Sequence, residues 1–435
     1  MSSAPATQLA IDIPVASSEV WSWAMYDFAN SGYTTVVLTA VFNVYFVGVA
    51  AQNADWATFA WTLAMGLSSL VVMLTMPAIG ALADLKAAKK TFLALTTLGC
   101  VVATLMLSQV GRGDIVLAFV AIVVSNVFYA YGESLTAAFL PELARQEAMG
   151  RVSGWGWSFG YFGGMLSLGL CLGYVLWAQS QDIASTEFVP VTMIITATVY
   201  GVASLATFAL LRERAIAQAG SAGEAGWRTS WRRLVQTWGR AREHVDFCWL
   251  LACGAAYQAG ISVVIALAAV YAEQVLGFKQ VETMLLVFLV NIAAALGAFV
   301  FGSYQDRIGH KKALAITLVG WVVMTGLAYL AQGPRLFWVA AVIAGLCMGS
   351  SQSAGRAMAG VFAPATRLGE FFGLWTFATR LASIVGPVTY GVVTWLTAGN
   401  HRLAILSTAL FFVVGLFLLL PLNVSRGIAA AKVRE

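Results

Sequence analysis

Four charged side chains stand inside otherwise apolar stretches: Asp27, Glu133, Arg356 and Arg380. An ionisable group set in hydrocarbon costs about 2.5–3.5 kcal/mol or more unless it is paired or wetted, so such residues mark solute and ion pathways. Asn30, Ser31 and Thr34 follow Asp27 on one helical face. Asn126 and Tyr129 precede Glu133 by seven and four residues, and Gln352 precedes Arg356 by one turn. Tyr257, Gln258 and Asn291 add uncharged polar groups. A carboxylate can take up a proton, and an arginine can hold the carboxylate of a small solute through charge-assisted hydrogen bonds. The expected solute-binding and coupling set is therefore Asp27, Asn30, Asn126, Tyr129, Glu133, Tyr257, Gln258, Gln352, Arg356 and Arg380, with Asp27 or Glu133 as proton acceptor. The structural counterpart is an internal ion pair, for example Glu133 with an arginine, that holds helices together. For Asn126 and Asn291, hydrogen bonding between helices is the favoured role.

Catalysis finds little support. The chain has no phosphate-cradling G-x-x-x-x-G-K-[ST] and no H-E-x-x-H, and His244, His310 and His401 fall in loops. Cys100, Cys171, Cys248, Cys253 and Cys347 all lie in apolar runs without metal-ligand spacing, and their odd number argues against a disulfide framework. The expectation is no enzyme activity, no cofactor and no metal site.

The elements that must position these residues are membrane spans. Of 435 residues, 60% are hydrophobic and 10% charged, against about a quarter charged in a soluble domain. A span needs about 20 mostly apolar residues. Twelve such runs occur near 22–49, 56–83, 91–110, 114–139, 153–178, 189–211, 247–272, 282–303, 312–331, 336–359, 369–397 and 402–422. Alternate connections, with the chain ends, differ in basic residues: twenty Lys and Arg fall on one side and only Arg112, Lys279, Arg335 and Arg402 on the other. The basic side reads as cytoplasmic, which places both termini there and the protein in the cell's inner (plasma) membrane. Trp21, Trp56, Trp177, Trp249, Trp338 and Trp395 lie near span ends, as interfacial anchors do. The net charge of +5 is spread over these short loops rather than gathered in one patch, so no nucleic-acid partner is implied.

Residues 1–20 read as an N-terminal tail without a basic region leading into a cleavable signal. A six-helix bundle over 21–211 is followed by a linker over 212–246, a second bundle over 247–422 and a tail over 423–435. In the linker, Trp227, Trp231, Leu234, Val235 and Trp238 recur at helical spacing among arginines, which predicts an amphipathic helix lying on the membrane surface.

The halves echo one another. Gly80-Ala-Leu-Ala-Asp84-Leu-Lys86-Ala-Ala-Lys89-Lys90 follows the second run, and Gly302-Ser-Tyr-Gln-Asp306-Arg307-Ile-Gly309-His310-Lys311-Lys312 follows the eighth, 222 residues later. Two bundles with matching loops are the pattern of a parallel-repeat transporter. The second copy resembles the loop signature G-x-x-x-D-R-x-G-R-K-K of the major facilitator superfamily. The first copy departs from it, with Leu85 at the basic position and Ala87 at the glycine. Asp84, Lys89, Asp306, Arg307 and Lys311 are thereby expected to gate, an Asp at a helix end pairing with cations or with the N-terminus of a facing helix. Trp23-Ala-Met-Tyr26-Asp27-Phe28-Ala29-Asn30-Ser31, Phe139-Leu140-Pro141-Glu142, Ser153-Gly154-Trp155-Gly156 running into Gly160-Tyr161-Phe162-Gly163-Gly164, and Phe371-Phe372-Gly373 with Gly386-Pro387 further resemble the branch containing vacuolar amino-acid effluxers linked to autophagy and their bacterial relatives.

The resemblance implies an all-α integral membrane fold of the major facilitator type, with the first and fourth helices lining a cavity and the fifth at the seam, where its glycines allow close packing. It also implies alternating access by a monomer and export of a small zwitterionic or anionic solute such as an amino acid, with protons as the coupling ion. The alternatives are a hydrophobic-drug exporter, a carrier of metals or their chelates, and a non-transporting receptor or scaffold.

Overall fold

The structure is a computed structural model that describes residues 15–215 and 243–432. The expected amphipathic helix of the linker lies outside the described residues. The regular structure of the described residues is helical, and it includes twelve helices long and apolar enough to cross a membrane. They run α1 Ser17–Ala50, α2 Ala57–Lys86, α3 Lys89–Leu107, α4 Ile115–Ala137, α5 Met149–Ser180 and α6 Ser185–Leu210, then α7 Val245–Leu276, α8 Gln280–Ile308, α9 His310–Leu330, α10 Pro334–Phe362, α11 Leu368–Leu396 and α12 His401–Leu419.

Two boundaries differ from the sequence reading. The first helix begins at Ser17, within the expected tail. The stretch after α12 is not a plain tail: Val424–Lys432 forms a thirteenth helix, α13. Its Gly427 sits against the Phe362 ring.

Length and side-chain size account for the local structure. Large apolar residues on the outer surfaces, such as Leu98, Leu205, Phe299 and Leu410, are exposed where lipid would cover them. Inside the first bundle, Trp23, Tyr26, Tyr33 and Tyr200 are fully buried, and in the second Trp321 stacks on Phe412 at 5.0 Å. Beyond Tyr33, α1 widens into π-helical turns over Thr34–Ala40. The crowded β-branched run Thr34, Thr35, Val36, Val37 disfavours regular winding. Thr39 Oγ1 donates to the Thr34 carbonyl at 3.0 Å in the widened turn.

Twelve successive crossings put both ends of the described chain and the described parts of the Lys- and Arg-rich connections on one face, here termed the basic face. There the bundles press together. Gly80 of α2 lies against the backbone of Gly369 in α11, and Gly154 of α5 against that of Ala298 and Gly302 in α8, so closely that a Cβ would strike a carbonyl in each case. The two contacts are counterparts under the internal repeat.

Candidate functional site: charged pairs across the seam between bundles

Arg356 leaves α10 six residues before its end, where Gly156 of α5 leaves room for the guanidinium. Its Nη1 donates to Asp27 Oδ2 of α1 at 2.6 Å. Nε donates to Ser153 Oγ at 3.1 Å and Nη2 to the Ser153 carbonyl at 2.8 Å. The Trp23 and Trp157 rings lie 4.8 and 5.3 Å from the guanidinium carbon, which adds cation–π attraction to a desolvated cation. Side-chain exposure is 8% for Arg356 and 12% for Asp27. Removal of either partner would strand a buried charge, at a cost of about 3–5 kcal/mol.

Arg380 lies twelve residues beyond the start of α11, about 18 Å along the helix at 1.5 Å per residue. Its Nη2 donates to Glu133 Oε2 of α4 at 2.9 Å. The guanidinium faces the Tyr129 ring at 6.0 Å, and that ring stacks on Tyr33 at 5.1 Å. This pair is more open than the first: Glu133 keeps 38% of its side-chain surface and Arg380 17%. A carboxylate that bonds across the seam and still has surface to spare means that the space between the bundles is open at this level. Arg380 Nε is buried without an acceptor among the described residues, a state that costs about 1–3 kcal/mol.

Toward the basic face the seam is closed by two matching latches. Asp84, near the end of α2, accepts from the Gly369 and Glu370 backbone N–H groups at the start of α11, both at 2.9 Å. Asp306, near the end of α8, accepts from the Gly150 and Arg151 N–H groups at the start of α5, at 2.8 and 2.9 Å. Each carboxylate thus sits on the positive end of a helix in the other bundle. Thr376 Oγ1 donates to Ser134 Oγ at 2.8 Å, and Ser153 Oγ donates to the Ser353 carbonyl at 2.9 Å. Among the described residues, the hydrogen bonds and ion pairs between bundles lie between the basic face and the level of Arg380. The molecule is closed at its basic face.

The chain matches the family described as "Vacuole effluxer Atg22 like" over residues 43–432. It belongs to the Atg22-like family. Over 405 residues it is 25% identical to "Uncharacterized MFS-type transporter YxiO" of Bacillus subtilis, covering 92% of this chain and 93% of that protein. It is 26% identical to "Autophagy-related protein 22-1" of Aspergillus fumigatus over 213 residues, 46% of this chain and 35% of that protein. The crystal structure of the human organic anion transporter MFSD10 superposes with a TM-score of 0.72 at 14% identity, covering 92% of this chain and 99% of that one, which speaks for a shared fold. This Atg22-like chain is accordingly a multi-pass transporter of the major facilitator superfamily and not an enzyme.

The remaining expected residues scatter over this Atg22-like fold. Asn30 does not join Asp27: its Oδ1 accepts from Tyr200 of α6 at 3.4 Å, in a buried network with Tyr26 and Thr97 inside the first bundle. Asn126 donates to Ser68 of α2 at 2.6 Å, the expected bond between helices, while its Oδ1 has no donor among the described residues. Asn291 bonds instead within its own helix, to the Val287 carbonyl at 2.8 Å. Gln258 donates to Gln352, which joins α7 to α10 inside the second bundle. Tyr257 is buried in the same bundle against Gly355.

The expected gating cations do not bridge the bundles. Lys89 pairs with Glu142 of its own bundle. Lys311 donates to the Leu420 and Leu422 carbonyls at the end of α12, at 2.8 and 2.7 Å. Arg307 is exposed and takes no part in the Asp306 contacts. The bridging falls to the aspartates because a helix N-terminus is an anion site with no use for a cation.

Sequence reasoning singled out Ser153 only for its family resemblance and missed that it anchors Arg356; it also missed the clasps Glu19–Arg214 and Asp246–Arg426. Each clasp ties the start of a bundle's first helix to the segment after its last, at 2.8 and 2.6 Å. An acid at the start of α1 and α7, with an arginine after α6 and α12, was the available signal.

Proposed function

We propose that this Atg22-like protein is a secondary active transporter that works by alternating access, is coupled to protons, and carries a small zwitterionic or anionic solute such as an amino acid, in the direction of export. The observation that carries this reading is the Glu133–Arg380 pair: it joins the bundles deep in the membrane and yet remains 38% exposed on its acidic side. Full burial of an ion pair costs desolvation that its own attraction need not repay. A pair that must trade partners needs access. The proposed set is Asp27 or Glu133 for the proton and Arg356 and Arg380 for the solute carboxylate.

The latches supply the second requirement. Asp84 and Asp306 hold the basic face shut through hydrogen bonds that break together when the bundles rock. Solute and proton then act by preferring one arrangement over the other. The charge asymmetry between loops supports a basic face in the cytoplasm and a plasma-membrane location. The family description, an effluxer, supports export.

The test is flux into proteoliposomes of purified protein, with wild type, Asp27→Asn, Glu133→Gln and Arg380→Ala compared across pH. The reading expects solute movement by wild type and its loss or altered pH dependence in the variants. Unchanged flux and pH dependence in all three would remove these roles.

A further inference from the structure

The two seam pairs are built for different work. Arg356 commits Nε, Nη1 and Nη2 to partners, lies between two indole rings and is shut away on the closed side. Arg380 donates one hydrogen bond to one oxygen of Glu133, its Nε has no acceptor among the described residues, and the pair borders the open part of the seam. A solute that enters from the open side therefore meets Glu133 and Arg380 before Asp27 and Arg356. The groups facing Glu133 are Arg380 from α11 and Tyr129 on its own helix, with Asp27 of α1 and Arg356 of α10 as the next charges. Those two are paired with each other and sum to zero.

We infer that the Glu133–Arg380 pair makes the net charge of the solute set the number of protons carried: one proton with a monoanion, none with a zwitterion. This rests on the transport reading above and confines its proton coupling to anionic solutes: a zwitterion moves down its own gradient, and an anion leaves with its proton wherever their combined gradient points outward. The empty pair is neutral. A monoanion that takes Arg380 leaves Glu133 as an uncompensated carboxylate, and the site carries one negative charge. A proton on Glu133, which converts carboxylate to carboxylic acid, restores neutrality. A proton without the anion leaves Arg380 as an uncompensated cation. An unbalanced charge is steeply unfavourable in a seam closing around it. Only the empty and the doubly loaded forms can rock, which is one-to-one cotransport. A zwitterion adds no net charge, its carboxylate meeting Arg380 and its ammonium meeting Glu133, so the loaded site is already neutral.

The experiment uses proteoliposomes of the full chain with a lumenal pH dye. The twenty L-amino acids, lactate, pyruvate and the N-acetyl derivatives of alanine and leucine serve as labelled probes. For every probe that moves, net-neutral amino acids are expected to leave lumenal pH unchanged and to ignore an imposed pH gradient. Monoanions are expected to bring one proton each and to accumulate about tenfold per unit of pH gradient. Glu133→Gln lacks the acceptor, so net uptake of a monoanion falls at least about tenfold while exchange of internal for external anion continues. A neutral amino acid that acidifies the lumen, or a monoanion driven by membrane potential without protons, overturns the charge rule and leaves the transport reading standing. If no probe moves, the rule falls together with the proposed amino-acid or anion cargo.

Discussion

Asp84 and Asp306 grip opposite bundles in the same way: each places both carboxylate oxygens on two consecutive backbone N–H groups at the start of a helix in the other half, at 2.8–2.9 Å. Neither needs a cation to do so. The closed basic face is thus held at two equivalent points by a charge on a helix terminus, an interaction worth up to about 2 kcal/mol where water is partly excluded.

Asp84→Ala and Asp306→Ala are expected to shift the molecule toward a form open at the basic face, and the double variant further. With each latch worth about 1–2 kcal/mol, the population ratio moves about 5- to 30-fold per substitution. Spin labels on the exposed Lys86 and Ala365 positions, which lie on opposite sides of the seam, should report a longer distance. An unchanged distance distribution would show that the latches do not hold this state.

Gly154→Val should act in the same direction by steric means. A Cβ at Gly154 meets the Ala298 carbonyl, and overpacking of this kind costs about 1–3 kcal/mol. The variant should remain folded, label as open at the basic face, and lose flux by tenfold or more. Gly169→Val is the control, since nothing lies within 4 Å of a Cβ there.

Breaking the Asp27–Arg356 pair should be most damaging when one partner is left alone. Asp27→Asn and Arg356→Gln should each lower the Tm of purified protein, and the double variant should lower it by less than the sum of the two. A coupling of about 1 kcal/mol or more is expected for contacting charges. Additive losses would indicate that Ser153 and the indoles, not the pair, hold Arg356.

The clasps within the bundles should differ in strength. Arg214 beside Glu19 is 10% exposed, whereas Arg426 beside Asp246 is 54% exposed. Water screens the second, so Arg426→Ala should lower Tm less than Arg214→Ala does.

Ala87 takes φ +47° at the end of α2, where its repeat counterpart Gly309 takes φ +93°. A left-handed alanine costs about 1–2 kcal/mol. Ala87→Gly should therefore raise Tm or leave it unchanged, and Gly309→Ala should lower it. A fall with Ala87→Gly would point to an interaction of the methyl group that outweighs the strain.

The span count, the paired loops and the identity of the charged residues could be read from the chain because lipid imposes simple rules. A run of apolar residues long enough to cross the bilayer becomes a helix, and a charge inside it must find a partner. The second loop copy disclosed the repeat because Asp306 through Lys312 keep their spacing. The linker's amphipathic pattern, Trp227 through Trp238, was equally legible but falls outside the described residues.

Which charge meets which could not be read. Asp27 and Arg356 are 329 residues apart, and Glu133 and Arg380 are 247 apart. Helical periodicity assigns a residue to a face but says nothing about what stands opposite that face. Asn30 shows the difference: spacing placed it beside Asp27, and the packing turns it to Tyr200 within its own bundle.

Alone, the order of residues determined an all-helical membrane protein in two repeated halves, because apolar runs of about 20 residues with few charges cross hydrocarbon as helices whose backbone bonds close within the run. Only the packed structure decided that Arg356 is enclosed while Arg380 stays open, and that aspartates rather than lysines close the basic face. Those outcomes depend on the distance between two bundles, a quantity set by glycine contacts and shape along the whole seam and written in no single stretch of the chain.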